Sequence, residues 1–257
     1  MFEAKLSQSG QIKKLIEAIK DIVSDANLEC NENGISLQAM DSSHVSLVSL
    51  IIPSEDFEIF RCDIPITLGL NLSSFYKILK CSSNEDSILI SCQDISDILT
   101  VVFESINNDR ISEFELKLMK IEAEPLGIPE TEYSATISIT SSEYRRISSE
   151  MITLGDTVQI GISKDGIKFE VEGDIGKATI FLKQSENERE VEEEIKINIS
   201  EPVKMGFALR YLCSFSKATP LCEKINLKLC KDFPLQLEFK IGRSGFIRFY
   251  LAPKYEE

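Results

Sequence analysis

Apolar and polar residues alternate with period two through most of the chain, the pattern of half-buried antiparallel strands. Ile35, Leu37 and Ala39 follow Asn33-Gly34, and Ile167, Phe169 and Val171 follow Asp165-Gly166, both dipeptides being strong hairpin signals. The same alternation runs through Ala135/Ile137/Ile139, Val158/Ile160/Ile162, Ile195/Ile197/Ile199, Ile225/Leu227/Leu229 and Leu235/Leu237/Phe239/Ile241. Four segments switch to helical spacing. Ile12, Leu15, Ile16, Ile19 and Val23 form one stripe, and Leu72, Phe75, Tyr76 and Leu79 a second. Tyr144, Ile147, Ser148 and Met151 form a third after candidate caps at Ser141 or Ser142, and Leu209, Leu212 and Cys213 a short fourth. The expected helices cover 9–23, 72–81, 141–151 and 208–218 in a chain dominated by sheet.

The elements recur in order. Strand, helix, strand, Gly-Ile hairpin and strand run from 4 to 52 and again from 135 to 183, with Gly34-Ile35 matching Gly166-Ile167 at an offset of 132. Gly69 and Lys80 bracket the second helix as Gly206 and Lys217 bracket the fourth, both at an offset of 137. The pattern is that of a tandem duplication. It divides the chain into 1–118 and 134–257, joined by an aperiodic linker at 119–133 that holds Pro125, Gly127 and Pro129. The acidic run from 186 to 194 reads as a solvated loop.

Charge changes the picture. The 257 residues carry a formal −14, which opposes long-range attraction to nucleic acid. The four helices nevertheless hold nine basic residues against four acidic ones, so they stand at +5 and the remainder at −19. Lys13 and Lys20, like Arg210 and Lys217, are seven apart and form basic ridges away from the apolar stripes. Solvation explains any one such helix face; all four leaning the same way favours a shared anionic partner. Phosphates held by long basic side chains give salt-dependent, sequence-independent binding. With no Trp and no aromatic interleaving, duplex DNA fits better than single strands.

Other chemistry is poorly supported. The single His44, the lack of a nucleophile elbow, phosphate loop, dinucleotide fingerprint or zinc-protease helix, and unpatterned carboxylates point away from an enzyme and from cofactors. Seven scattered cysteines without a C-x-x-C pair point to reduced thiols rather than a metal site or disulfides. No apolar run approaches a membrane span, and the amino terminus lacks the h-region of a signal peptide, so the mature chain is expected to start at or near Met1.

Several strings are more specific than these patterns. Leu37-Gln38-Ala39-Met40-Asp41-Ser42-Ser43-His44-Val45-Ser46-Leu47-Val48, Phe207-Ala208-Leu209-Arg210-Tyr211-Leu212, Lys217-Ala218-Thr219-Pro220-Leu221 and Tyr250-Leu251-Ala252-Pro253-Lys254 resemble the proliferating cell nuclear antigen family of DNA sliding clamps. Asn84-Glu85-Asp86 and Leu126-Gly127-Ile128-Pro129-Glu130 do so too, and the likeness covers essentially the whole chain. It implies an α+β duplicated clamp fold, two similar domains of antiparallel sheet with two helices each, in a nuclear homotrimer that closes head to tail around duplex DNA. It also implies Lys13, Lys14, Lys20, Lys77, Lys80, Arg146, Arg210 and Lys217 as phosphate contacts, Arg110 as a further candidate and Arg145 as a weaker one. Where animal members tend to carry basic residues near the end of the third helix, this chain has Ser149 and Thr153.

Ring closure in the family joins edge strands, here about 110–117 and 176–183, which include Arg110, Phe114, Leu116, Lys177, Thr179 and Phe181. The partner groove implied by the resemblance comprises Met40, His44, Val45, Leu47, Leu126, Ile128, Pro129, Pro234, Tyr250, Leu251, Ala252 and Pro253. Its ligands would be PIP-box peptides of DNA polymerases, clamp loader, flap endonuclease, DNA ligase and other clients. Lys164 matches a lysine modified by ubiquitin or its relatives. A checkpoint-type subunit that assembles only with different chains shares this fold and remains the alternative, but the whole-length likeness favours self-assembly.

Overall fold

The computed structural model describes residues 1–93, 96–122, 126–127, 132–184 and 195–255. Along the chain run β1 (Phe2–Leu6), α1 (Gly10–Ile19), β2 (Asp25–Asn31), β3 (Gly34–Met40), β4 (Ser46–Pro53), β5 (Ile59–Cys62), β6 (Ile66–Asn71), α2 (Leu72–Leu79), β7 (Ser87–Cys92), β8 (Ile98–Glu104) and β9 (Ile111–Lys117). There follow β10 (Ala135–Thr140), α3 (Ser141–Met151), β11 (Thr157–Ser163), β12 (Gly166–Gly173), β13 (Gly176–Lys183), β14 (Lys196–Ile199), β15 (Val203–Ala208), α4 (Leu209–Phe215), β16 (Lys224–Leu229), β17 (Leu235–Ile241) and β18 (Gly245–Leu251). Two compact units result. The first comprises Met1–Ser42, Val48–Gly127 and Lys240–Ile247, and the second Ser43–Leu47, Ile128–Phe239 and Arg248–Glu257.

In the first unit an antiparallel sheet runs β5-β1-β7-β8-β9, and a second set of strands runs β6-β2-β3-β4. Ile12, Ile16 and Phe75 from the helices meet Phe2, Leu28, Leu50, Leu68 and Ile88 from the strands around one apolar interior. Each such fully buried side chain contributes about 1.5–3 kcal/mol relative to exposure, which is what fixes two short helices on the sheets. The second unit repeats the plan with β13-β12-β11-β15 and β14-β10-β16-β17. Tyr144, Ile147, Ser148 and Met151 of α3 are all buried, and each stands 132 positions after Ile12, Leu15, Ile16 and Ile19 of α1. The aromatic core includes Phe215 stacked on Phe249 at 4.6 Å between centroids.

Local details correct four sequence expectations. The hairpin loops are residues 32–33 and 164–165, because Asn31 pairs with Gly34 and Ser163 with Gly166. Each glycine opens the following strand at positive φ, +140° and +156°, where a Cβ would lie 2.2 Å from the carbonyl of Ile52 or Leu182. Asn31 Oδ1 and Ser163 Oγ, also 132 apart, accept from the second loop residue of each turn, at 2.8 and 3.3 Å. The third helix is capped by Thr140 rather than Ser141 or Ser142, its Oγ1 accepting from the Glu143 amide at 3.3 Å, while Ser141 Oγ donates to the Cys222 carbonyl. Helix α1 stops at Ile19, since the chain needs residues 20–24 to turn into β2, although buried Val23 continues the stripe. Helix α4 ends at Phe215 and continues as a 3₁₀ stretch, Ser216–Leu221, containing Pro220.

Candidate nucleic-acid and partner surfaces

In the first unit α1 and α2 pack against each other, which gathers their basic side chains. Lys14 and Lys77 are exposed. Lys13 is tied down, its Nζ donating to the Ser82 carbonyl at 2.7 Å and to Asn84 Oδ1 at 3.2 Å. The same loop accepts from the start of α1, through Gly10 N to Asn84 O and Ser9 N to Asp86 O, and so satisfies donors that a helix leaves open. Lys20 lies 2.7 Å from Asp21 Oδ1 and 5.1 Å from the Tyr76 ring centroid, and Lys80 is 5.8 Å from that same ring. Arg110 precedes β9 and donates through Nε to Ser112 Oγ at 3.1 Å.

In the second unit α3 and α4 are joined by the Tyr144 hydroxyl, which donates to the Leu212 carbonyl at 2.8 Å, and by Cys213 Sγ donating to Ser148 O at 3.1 Å. Burial pushes the Tyr144 phenol and the Cys213 thiol up, so both stay protonated donors at neutral pH. Arg146 is stapled along its own helix to Glu143 at 2.8 Å and Glu150 at 3.9 Å, whereas neighbouring Arg145 is exposed, as are Ser149 and Thr153. Arg210 and Lys217 do not share one α-helical ridge, because Lys217 lies in the 3₁₀ stretch after α4. Arg210 instead covers Tyr211, its guanidinium 4.8 Å from the ring centroid, and borders a surface concavity.

That concavity, about 510 Å³, is walled by Val45, Asp156, Ala208, Arg210, Tyr211, Ala252, Pro253 and Lys254. It exists because the end of the chain is strapped across the second unit: Ala252 N donates to Val45 O at 2.9 Å and Lys254 N to Gly206 O at 2.8 Å. His44, exposed at φ +57°, turns the preceding loop so that Val45 meets this strap. Of the groove residues expected from sequence, Val45, Ala252 and Pro253 share one wall, while Tyr250 and Leu251 are buried beneath it as the end of β18. Leu47 is half-buried and Pro234 exposed in the second unit, and Met40 and Leu126 are half-buried in the first. Ile128 and Pro129 lie outside the described residues, as does the acidic run at 186–194. Sequence reasoning missed Ala208, Tyr211, Asp156 and Lys254 as walls; the first two sit inside the string Phe207-Ala208-Leu209-Arg210-Tyr211-Leu212 and Lys254 ends the string Tyr250-Leu251-Ala252-Pro253-Lys254, while nothing in the sequence marks Asp156.

Each unit ends a sheet on an exposed edge. Strand β9 carries Phe114 and Leu116 half-buried between exposed Ile111, Glu113, Glu115 and Lys117, with Phe114 set edge-on to Phe103 at 5.8 Å. Strand β13 carries exposed Lys177, Thr179 and Phe181. Lys164 is exposed in the β11–β12 turn. Among the described residues no group of His, Cys, Asp and Glu could hold a metal ion, and burial pushes the Cys30 thiol to about 12, leaving it an apolar core group.

Two family models match the chain, "Proliferating cell nuclear antigen, N-terminal domain" over residues 1–125 and "Proliferating cell nuclear antigen, C-terminal domain" over 127–254. The proliferating cell nuclear antigen of Chaetomium thermophilum is 47% identical over 254 residues, covering 99% of this chain and 98% of its own length. With two matched halves, antiparallel sheets and a pair of packed helices in each unit, the chain belongs to the proliferating cell nuclear antigen family, the DNA sliding clamps.

Proposed function

We propose that three copies of this chain close head to tail through β9 of one subunit and β13 of the next, forming a nuclear ring around duplex DNA that catalyses nothing itself. The two edges carry this reading. An edge strand with free backbone donors and acceptors and exposed apolar side chains is a template for strand addition, and one such edge in each unit allows a heterologous contact that closes. Basic side chains of α1 to α4 then hold phosphates without reading bases. The concavity beside Val45, Ala252 and Pro253 docks PIP-box peptides of polymerases, clamp loader, flap endonuclease and ligase, whose affinity rests on a few buried anchors. Lys164, exposed on a turn, is the site for ubiquitin-type modification.

Light scattering across a range of protein concentrations tests the assembly. The expected mass is three times the 28.9 kDa of the chain. A mass that stays at one chain at every concentration would instead favour a subunit that closes a ring only with other chains.

A further inference from the structure

One aromatic ring holds two of the cations on the first unit's helix surface. Lys20, at the end of α1, and Lys80, at the end of α2, lie 5.1 and 5.8 Å from the centroid of Tyr76. The Lys20 side chain is only 19% exposed, so its stem is laid down rather than waving in water. Burial first, then the Glu17 carboxylate beside it, pushes the phenol up to about 12, so it stays a neutral ring under the two cations at neutral pH. Glu17 and Asp21 are the acidic groups that face this cluster, and the Lys20–Asp21 contact of 2.7 Å offsets part of the repulsion between the two ammonium groups.

We propose that Tyr76 is a positioning residue for DNA: its ring seats Lys20 and Lys80 so that two helices present their ammonium groups together to the phosphate backbone. Flexible lysines lose rotamer freedom when they bind, and a ring that has already gathered them removes part of that loss before DNA arrives. The second unit is built differently. The offsets of 132 and 137 place Ile152 where Lys20 stands and Cys213 where Tyr76 stands, and Cys213 spends its donor on the Ser148 carbonyl. Arg210 there covers only its own neighbour Tyr211, so what sets the first unit apart is one ring that gathers cations from two helices.

The proposal rests on the reading that these lysines meet DNA, and a set of variants separates the two ideas. Anisotropy of a labelled linear duplex at low salt is measured for the full chain, Y76L, Y76F, K20A/K80A and Y76L in the K20A/K80A background, with assembly and melting checked for each. The expected result is several-fold weaker binding for Y76L and for K20A/K80A, binding close to the parent for Y76F, and no further loss when Y76L is added to K20A/K80A. Parent-like binding by Y76L, or an equal loss in both backgrounds, overturns the seat and leaves the lysines as contacts. Unchanged binding by K20A/K80A removes the phosphate reading and the proposal with it. Should Y76L disturb assembly, Y76Q supplies the same comparison with a polar side chain suited to a half-exposed position.

Discussion

Gly69 and Gly206 carry a constraint that lies far from them in sequence. A Cβ on Gly69 would sit 2.0 Å from the Met119 carbonyl oxygen, and Met119 N donates back to Gly69 O at 2.8 Å. Asn27 Nδ2 then holds Ile121 O at 3.0 Å, so the first residues of the connecting stretch are strapped over β6. In the second unit Gly206 meets Lys254 in the same way, but a Cβ there would approach the movable Gln159 amide at 2.9 Å and Lys254 O only to 3.2 Å. Gly69→Ala is expected to cost about 1–3 kcal/mol and Gly206→Ala less, because only the first must displace backbone. Thermal melting at fixed protein concentration reads the difference at about 2–4 °C per kcal/mol, and equal melting of the two variants would contradict it. The sequence marked both glycines by their repeat offset but gave no reason for them, since their partners lie about 50 residues away. Asn84-Glu85-Asp86 was likewise visible only as a familiar string; its task of receiving the amides that open α1 is tertiary.

At the scale of elements, period-two alternation located the strands well but could not rank them within a sheet. Strands β9 and β13 alternate like their neighbours, and only the neighbour missing on one side makes them edges. The ends of α1 and α4 fall short of the apolar pattern for a related reason: buried apolar positions continue through a turn or a 3₁₀ stretch, as Val23 and Ala218 do. The edge assignment yields a sharp expectation. Phe181 is 41% exposed on β13, so Phe181→Glu should leave the subunit folded, with melting of the isolated subunit little changed, while light scattering reports single chains instead of trimers. A trimer of undiminished stability would show that closure does not run through this edge.

For the whole molecule, charge distribution and topology divide the work of holding DNA. Each subunit carries −14, so the field of a ring opposes DNA except close to the basic helices. Even there, Lys13, Lys20 and Arg146 already have internal oxygen partners, and Ser149 and Thr153 add no charge to α3. If these helices meet DNA as proposed, the contact is weak and exchangeable, which suits sliding, and retention falls to closure of the proposed ring. The charge split was fully legible in the sequence; the internal partners were not, because they depend on which loops and helices lie beside each cation. If about six phosphates are neutralised, affinity for short linear duplex should fall roughly 10³-fold between 50 and 200 mM salt. Protein placed on nicked circular DNA by an ATP-driven loader should stay bound through the same salt range and leave when the circle is cut. Release from the intact circle at the salt that strips linear duplex would mean that electrostatics, rather than a topological link, holds the protein on DNA.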